Sequence, residues 1–265
     1  MTEQNCHNVD LMVEKQADAG VANVQKTAPI AGTHKVHQIN LAAFDFEGTL
    51  IYSPDSKSAW EFVKKSTWEL IGGALGAEAE RIKMRDAFLR GEFDYITWIS
   101  KSIDNFKRHG LTKQMLEDII TNHTEIMPGT KELFNELRSK GIKIAIISGG
   151  IKNVYDIFAE KYGITVDYLN MATELTFDRK GRLTGGIMTN IDDKGKVTVL
   201  QNICHEMGIS KSQVCYVGDA SNDIKIMGVV GLPVAINTMN DAVRSAASFV
   251  IEDKDISGIL RHLPQ

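Results

Sequence analysis

AAFDFEGTLI, residues 42–51, ends an apolar run with two carboxylates spaced two apart, Asp45 and Glu47, followed at once by Gly48-Thr49. In an extended strand, residues i and i+2 point to the same face. Left extended, Asp45 and Glu47 would repel across a short gap. A glycine directly after the pair lets the backbone turn sharply, so the second carboxylate need not lie parallel to the first.

The pattern around this stretch repeats. INLAAF (39–44), KIAIIS (143–148), QVCYVG (213–218), LPVAIN (232–237) and SFVIE (248–252) are short, mostly apolar runs bounded by turn residues. Near-continuous apolar runs fit strands of a parallel sheet that is covered on both faces. Helix-period segments separate them, at 129–140, 151–162, 196–208, 221–230 and 240–246. Such alternation predicts an α/β fold built on a doubly wound parallel sheet. TELTFDRKGRLTGGI (173–187) reads as a hairpin turning at DRKG.

One interval breaks the rhythm. Between the first strand and Pro128 no strand-like run occurs, and the pattern is helical over 59–70, 79–90, 94–107 and 112–122. This predicts a helical cap inserted after the first strand. The expected organisation is a poorly ordered tail over 1–38, an α/β core over 39–54 and 127–265, and the cap over 55–126. Trp60, Trp68 and Trp98 of the cap read as core residues.

Composition bounds the function. The chain has 265 residues, 43% hydrophobic and 24% charged, with a formal net charge of −4. That is ordinary for a globular protein with a sizeable core, and it offers no basic stripe for nucleic acid or for an anionic membrane surface. Cys6, Cys204 and Cys215 are too scattered for a disulfide framework or a zinc site. The N-terminus has no apolar block of the secretory type, and no window approaches the length of a spanning helix. The expectation is a cytoplasmic protein without membrane or nucleic-acid partners; nothing in the pattern specifies an oligomeric state.

Ligands of open α/β sheets bind beyond the carboxyl ends of the strands, and the polar clusters of this chain fall there. They are Asp45-x-Glu47-Gly48-Thr49, then Ser148-Gly149-Gly150 as a turn into a helix, and Gly218-Asp219-Ala220-Ser221-Asn222-Asp223; Lys196 opens a further helix, with Lys194 as a competitor for its role. Carboxylates converging from separate strands repel unless a cation lies between them, and hard oxygen ligands suit Mg²⁺. A hydroxyl with free backbone N–H groups suits an anion. Acids, a cation, an anion-receiving turn and a lysine together describe a phosphoryl-transfer site, where catalysis is largely positioning and electrostatics. In that site Asp45 is the expected nucleophile and Glu47 the general acid, then base.

As a set, Asp45-Phe-Glu47-Gly-Thr49, Ser148-Gly149-Gly150, Lys196 and Gly218-Asp-x-x-Asn-Asp223 resemble the motifs of the haloacid dehalogenase-like hydrolases, in the branch that contains phosphoserine phosphatase. The similarity runs from about residue 39 to the C-terminus. It implies Asp45 as nucleophile and Glu47 as proton donor. It implies Mg²⁺ held by the Asp45 carboxylate, the Glu47 backbone carbonyl and Asp219, with Asp223 in support. Ser148, Gly149, Lys196 and Asn222 would hold the phosphate of a small phosphorylated metabolite, with phosphoserine the leading single candidate.

Two departures from the family pattern stand out. Glu47 replaces the usual Asp. The arginine that reads the substrate carboxylate is also missing: its place in the cap falls at Ser102, beside Lys101, whereas Arg81, Arg85, Arg90 and Arg108 match no expected position. Asp55 is an approximate stand-in for the acid expected after the first motif. The same residues also suit a phosphotransferase that passes the phosphoryl group to an alcohol. A non-catalytic switch module phosphorylated on Asp45 is a further reading, against which Glu47 and the cap argue.

Overall fold

A computed structural model describes residues 38–54, 66–191 and 194–263. The tail over 1–37, Asp55, Trp60 and the Lys194 side chain lie outside the described residues. The first strand, β1 (Leu41–Phe44), is fully buried and sits at the centre of a seven-stranded sheet. Its neighbours are β4 (Lys143–Ile151) and β7 (Val214–Gly218), both parallel to it. Beyond β4 lie β5 (Tyr168–Phe177) and β6 (Leu183–Met188), and beyond β7 lie β8 (Leu232–Ile236) and β9 (Phe249–Ile251). Only β6 runs antiparallel, paired to β5.

Alternation along the central strands explains the layers. Ala42, Phe44, Ile144, Ile146, Cys215 and Val217 face one apolar cluster, while Leu41, Ala43, Ala145, Ile147, Val214 and Tyr216 face another. Helices α5 (Thr130–Ser139) and α6 (Lys152–Tyr162) cover the first face through Phe134, Val154 and Phe158. The second face is covered by α7 (Lys194–Met207), α8 (Ile224–Met227) and α9 (Asp241–Ala246), through Leu200, Met227 and Val243. The expected doubly wound α/β sheet is present. From β1 the chain builds β4, β5 and β6 on one side and then crosses to β7 on the other. This reversal makes the carboxyl end of β1 the crevice where such sheets take ligands.

Among the described residues, four helices lie in the interval before α5: α1 (Thr67–Ala74), α2 (Glu78–Leu89), α3 (Tyr95–Arg108) and α4 (Lys113–His123). The starts follow local capping chemistry: Ser66 and Glu69 form a capping box at α1, while Asp94 and Thr112 cap α3 and α4. Of the helix expected over 59–70, residues 59–65 lie outside the described residues, and α1 follows the Ser66 capping box.

The structure corrects the sequence reading in three places. The helical insert is joined to the sheet by a small ladder, β2 (Ile51–Tyr52) antiparallel to β3 (Glu125–Ile126), where no strand was expected. Two-residue strands are too short to show any period. Ser148-Gly149-Gly150 is not a turn; it is the irregular end of β4, with a register shift before pairing resumes at Ile151 and Thr173. The helix expected over 221–230 breaks into a 3₁₀ turn at Ser221–Asp223 and the single turn of α8.

The expected hairpin forms, and it has a second use. The Asp178 carboxylate accepts from the N–H groups of Lys180 and Arg182, closing the DRKG turn. The Lys113 N–H then donates to Gly181, and the Leu183 N–H to Leu111, so the hairpin props the helical insert.

Candidate active site

Asp45 leaves β1 at its carboxyl end and is 5% exposed. Its Oδ1 lies 3.2 Å from Lys196 Nζ, yet accepts no directed hydrogen bond. Lys196, in the first turn of α7, is 0% exposed and also reaches Asp223 Oδ1 at 2.7 Å. Asp219 follows β7 and accepts from the Thr49 hydroxyl at 3.0 Å. Gly48 (φ +82°) passes so close that a β-carbon there would lie 2.3 Å from Asp219 Oδ2. The glycine therefore both turns the chain and admits the second acid.

Ligand oxygens of Asp45, Asp219 and Asp223 lie within 4.8 Å of one another. Burial, opposed by Lys196 and reinforced by Asp223, pushes Asp45 up to about 6. Asp219 is driven well above the usual carboxylate range by burial first, then by the charges of Asp45 and Asp223. The oxygens of Asp223 are already satisfied by hydrogen bonds. Oδ1 accepts from Lys196 and from the Tyr216 hydroxyl at 2.6 Å, and Oδ2 accepts from the N–H groups of Asp219 and Ala220 at 3.0 and 3.1 Å. It organises the loop, which is why the expected helix breaks there.

A divalent cation fits this donor set. Asp45 Oδ1 is buried without a directed donor, the repelling carboxylates are all hard oxygen ligands, and a cation between Asp45 and Asp219 would relieve the strain that lifts both.

Glu47 points the other way, toward the helical insert. Its carboxylate accepts from the Thr67 N–H at 3.0 Å and from the Thr67 hydroxyl, at the start of α1. Burial pushes it up to about 7, with the Thr67 hydrogen bonds pulling against that rise. A carboxyl so placed is half protonated near neutrality, as a group that both gives and takes a proton requires. Ser148 is buried at the end of β4, and its hydroxyl accepts from the Gly150 N–H at 3.2 Å.

Asp45, Glu47, Ser148, Gly149 and Asn222 form the sheet side of a cavity of about 270 Å³. Sequence reasoning missed its roof. Arg81 and Arg85 of α2 line it, with Trp68, Glu69, Tyr95 and Trp98. Arg81 is held by Glu69 and Glu78 at 3.0 Å each. Ser102, the position where the resemblance expects an arginine, is 3% exposed, bonds to the Trp98 carbonyl and does not line the cavity. Arg81 and Arg85 stand four apart, and that spacing places both on one helix face; it is the signal that could have found them. Trp68 and Trp98 do pack on the core, Trp68 stacking on Phe106 at 5.7 Å, but they are cavity wall as well. A larger depression, about 810 Å³, is lined mainly by residues of α2 and α3 and contains none of the site acids.

Known proteins share this fold. The chain is 28% identical over 228 residues to the phosphoserine phosphatase of Wolinella succinogenes, covering 85% of this chain and 100% of the relative. It is 28% identical over 222 residues to that of Streptococcus thermophilus, covering 83% and 98%. A solved structure described as a phospho-aspartyl intermediate analogue of phosphoserine phosphatase superposes with a TM-score of 0.67 at 25% identity, covering 86% of this chain and all of that one. Residues 42–228, which run from β1 past the Asp219–Asp223 loop, match the family model for haloacid dehalogenase-like hydrolases. By that match, carried through the whole of the sheet's ligand crevice, the chain belongs to the haloacid dehalogenase-like hydrolase family.

Proposed function

We propose that this hydrolase is a Mg²⁺-dependent phosphatase that cleaves a small phosphomonoester through an aspartyl phosphate on Asp45, with phosphoserine the leading single candidate. The observation that carries the reading is the opposed placement of two neighbouring acids. Asp45 faces Lys196 and Asp219, while Glu47 faces the cap and stands near 7. Residues 39–54 and 127–265 serve as the catalytic core, and 55–126 as the cap over it. Relatives named phosphoserine phosphatase support the choice of substrate. The buried free thiols of Cys204 and Cys215 suit a reducing compartment, the cytoplasm. Among the described residues no helix is long and apolar enough to cross a membrane.

The Asp45 and Asp219 carboxylates, with the Glu47 carbonyl, would hold Mg²⁺, which supplies positive charge to the phosphate oxygens when bound. Ser148, the Gly149 N–H, Lys196 and Asn222 hold the phosphate in place. An Asp45 oxygen attacks phosphorus; the ester oxygen leaves and takes its proton from Glu47. Glu47, now ionised, removes a proton from the water that attacks the aspartyl phosphate. Inorganic phosphate departs and Asp45 is restored. The cap excludes bulk water while the intermediate exists.

The direct test is phosphate release from a panel of phosphorylated metabolites that includes phosphoserine, with Mg²⁺ and with chelator. Release from at least one monoester that chelation abolishes is expected. Release from none would remove the phosphatase reading.

The role of Glu47 predicts a pH signature. The acid form is present below about 7 and is lost as pH rises through that value. With an alkyl phosphate, whose leaving oxygen needs a proton, the single-turnover rate of Asp45 phosphorylation should fall above that pH. With p-nitrophenyl phosphate, whose leaving group needs none, the falling limb should be absent. Glu47→Gln should slow the alkyl ester about 10²- to 10⁴-fold and flatten its alkaline limb. Equal pH profiles for both esters would rule out Glu47 as proton donor.

A further inference from the structure

Both carboxylate oxygens of Glu47 are held by one residue of the helical insert. Thr67 opens α1; its N–H donates to Glu47 Oε2 at 3.0 Å and its hydroxyl donates to Oε1. The helix does not need that hydroxyl as a cap. Ser66 is the cap: its Oγ accepts from the Glu69 N–H at 3.3 Å, while Glu69 Oε2 accepts from the Ser66 N–H at 2.9 Å. Thr67 is buried and does not line the cavity that holds Asp45 and Glu47, so its hydroxyl acts on Glu47 rather than on a substrate. The turn that carries it is fixed from a second helix, because Arg81 of α2 donates to Glu69 Oε1 at 3.0 Å.

The two oxygens of Glu47 are not equivalent. An amide N–H can only donate, so Oε2 is an acceptor and Oε1 is the oxygen left to carry the proton. Oε1 is also the oxygen beside the Ser148–Gly150 segment. A β-carbon built on Gly150 would lie 3.0 Å from Glu47 Oε1 and 3.4 Å from Ser148 Oγ. Glutamate has one side-chain torsion more than aspartate, and that freedom must be restrained before a proton can be delivered to a fixed point. Two hydrogen bonds from Thr67 supply the restraint.

We infer that Thr67 is a positioning residue for the proton transfer: its N–H fixes Oε2, and its hydroxyl holds Oε1 against the segment expected to take the phosphate. In the first half of the reaction the Oε1–H bond breaks and the proton passes to the ester oxygen leaving phosphorus. In the second half Oε1 takes a proton from the attacking water. The Thr67 hydroxyl steadies the carboxylate that exists between the two. The inference rests on the phosphatase reading and deepens it, since it makes the proton donor depend on the helical insert as well as on the sheet.

The test uses the full chain with Mg²⁺ and compares O-phosphoserine with p-nitrophenyl phosphate by kcat/KM, which covers the steps up to release of the alcohol. Only the serine oxygen needs a proton as it leaves. In Thr67→Val, which keeps the branched shape and the N–H, the ratio of phosphoserine to p-nitrophenyl phosphate should fall about 10- to 100-fold, the factor carried by one hydrogen bond to a charged group. Thr67→Ser restores the hydroxyl and should return most of the ratio. In a Glu47→Gln background, Thr67→Val should shift the ratio by less than about 2-fold, because a residue that acts through Glu47 then has no donor to position. A variant that merely misfolds lowers both esters alike, so an unmoved ratio in Thr67→Val overturns the inference. So does a full fall in the Glu47→Gln background, or a ratio that Thr67→Ser fails to restore. Wild type that cleaves p-nitrophenyl phosphate and no alkyl phosphate overturns it too, since no leaving oxygen then draws on Glu47. All of these outcomes leave the phosphatase reading standing. Cleavage of no ester by wild type removes that reading and the inference with it.

Discussion

Asp45→Asn should abolish phosphate release, by at least about 10⁴-fold, while leaving the metal-free protein as stable as the wild type or more stable. The first expectation follows from loss of the attacking oxygen, since removing a nucleophile typically costs this much or more. The second follows from the electrostatics of the site. Burial lifts Asp45 from 3.8 to about 6, so its ionised form is disfavoured in the fold. A group whose folded pKa is raised contributes stability below its unfolded value and loses it as pH climbs through the folded one. At pH 8 the ionised carboxylate is therefore a burden on the folded state. Asparagine removes the charge, while Lys196 retains Asp223 at 2.7 Å. Thermal melts at pH 8 without divalent cation, run beside phosphate-release assays, check both halves. A variant that hydrolyses a generic phosphomonoester as fast as the wild type would end the nucleophile assignment. Acid-quenched wild type should carry a phosphoryl group that is absent from Asp45→Asn and turns over within seconds. A lifetime of many minutes would instead favour a switch module, and transfer of the group to added alcohol a phosphotransferase.

The sheet was readable because burial on both faces writes itself into sequence as continuous apolar runs. INLAAF, KIAIIS and QVCYVG fall on β1, β4 and β7, the strands that meet at the crevice. Polar residues at their carboxyl ends could be expected to converge because the topology of such sheets allows little else. The roof was not readable in the same way. The segment EAERIKMRDAFL of α2 is dominated by charged residues and resembles a solvated face, so Arg81 and Arg85 did not declare themselves. What draws Arg81 into the wall is partly tertiary, the ion pair to Glu69 of α1, added to a local i,i+3 contact with Glu78 on its own helix. The β2–β3 ladder escaped for the opposite reason, being too short to carry any pattern. The broken helix after Ser221 lies between these cases. Its Asp223 could have been read as a capping residue, yet its carboxylate is claimed by Lys196, Tyr216 and two backbone N–H groups.

Lys196→Met should destabilise the metal-free protein by about 3–5 kcal/mol at pH 8, the usual cost of removing one partner from a buried charge network. Lys196 is 0% exposed, and its ammonium is the cation facing both Asp45 at 3.2 Å and Asp223 at 2.7 Å. Methionine fills similar volume, so the loss reports charge more than packing. The deficit should depend on pH in a fixed direction. Without the lysine, the repelling carboxyls hold their protons to higher pH than in the wild type. The variant's folded state then binds more protons than the wild type's between pH 5 and 8, so its stability falls faster as pH rises. The deficit should be small near pH 5 and full near pH 8. Mg²⁺ should recover part of it at the higher pH, because a cation at Asp45 and Asp219 screens the same repulsion that lifts both acids. Denaturant titrations at both pH values, with Mg²⁺ and without, measure all of this. A deficit that does not change with pH or with Mg²⁺ would mean that Lys196 acts by packing alone. The site would then have no electrostatic need for the lysine, and its place between the two aspartates would lose its functional meaning.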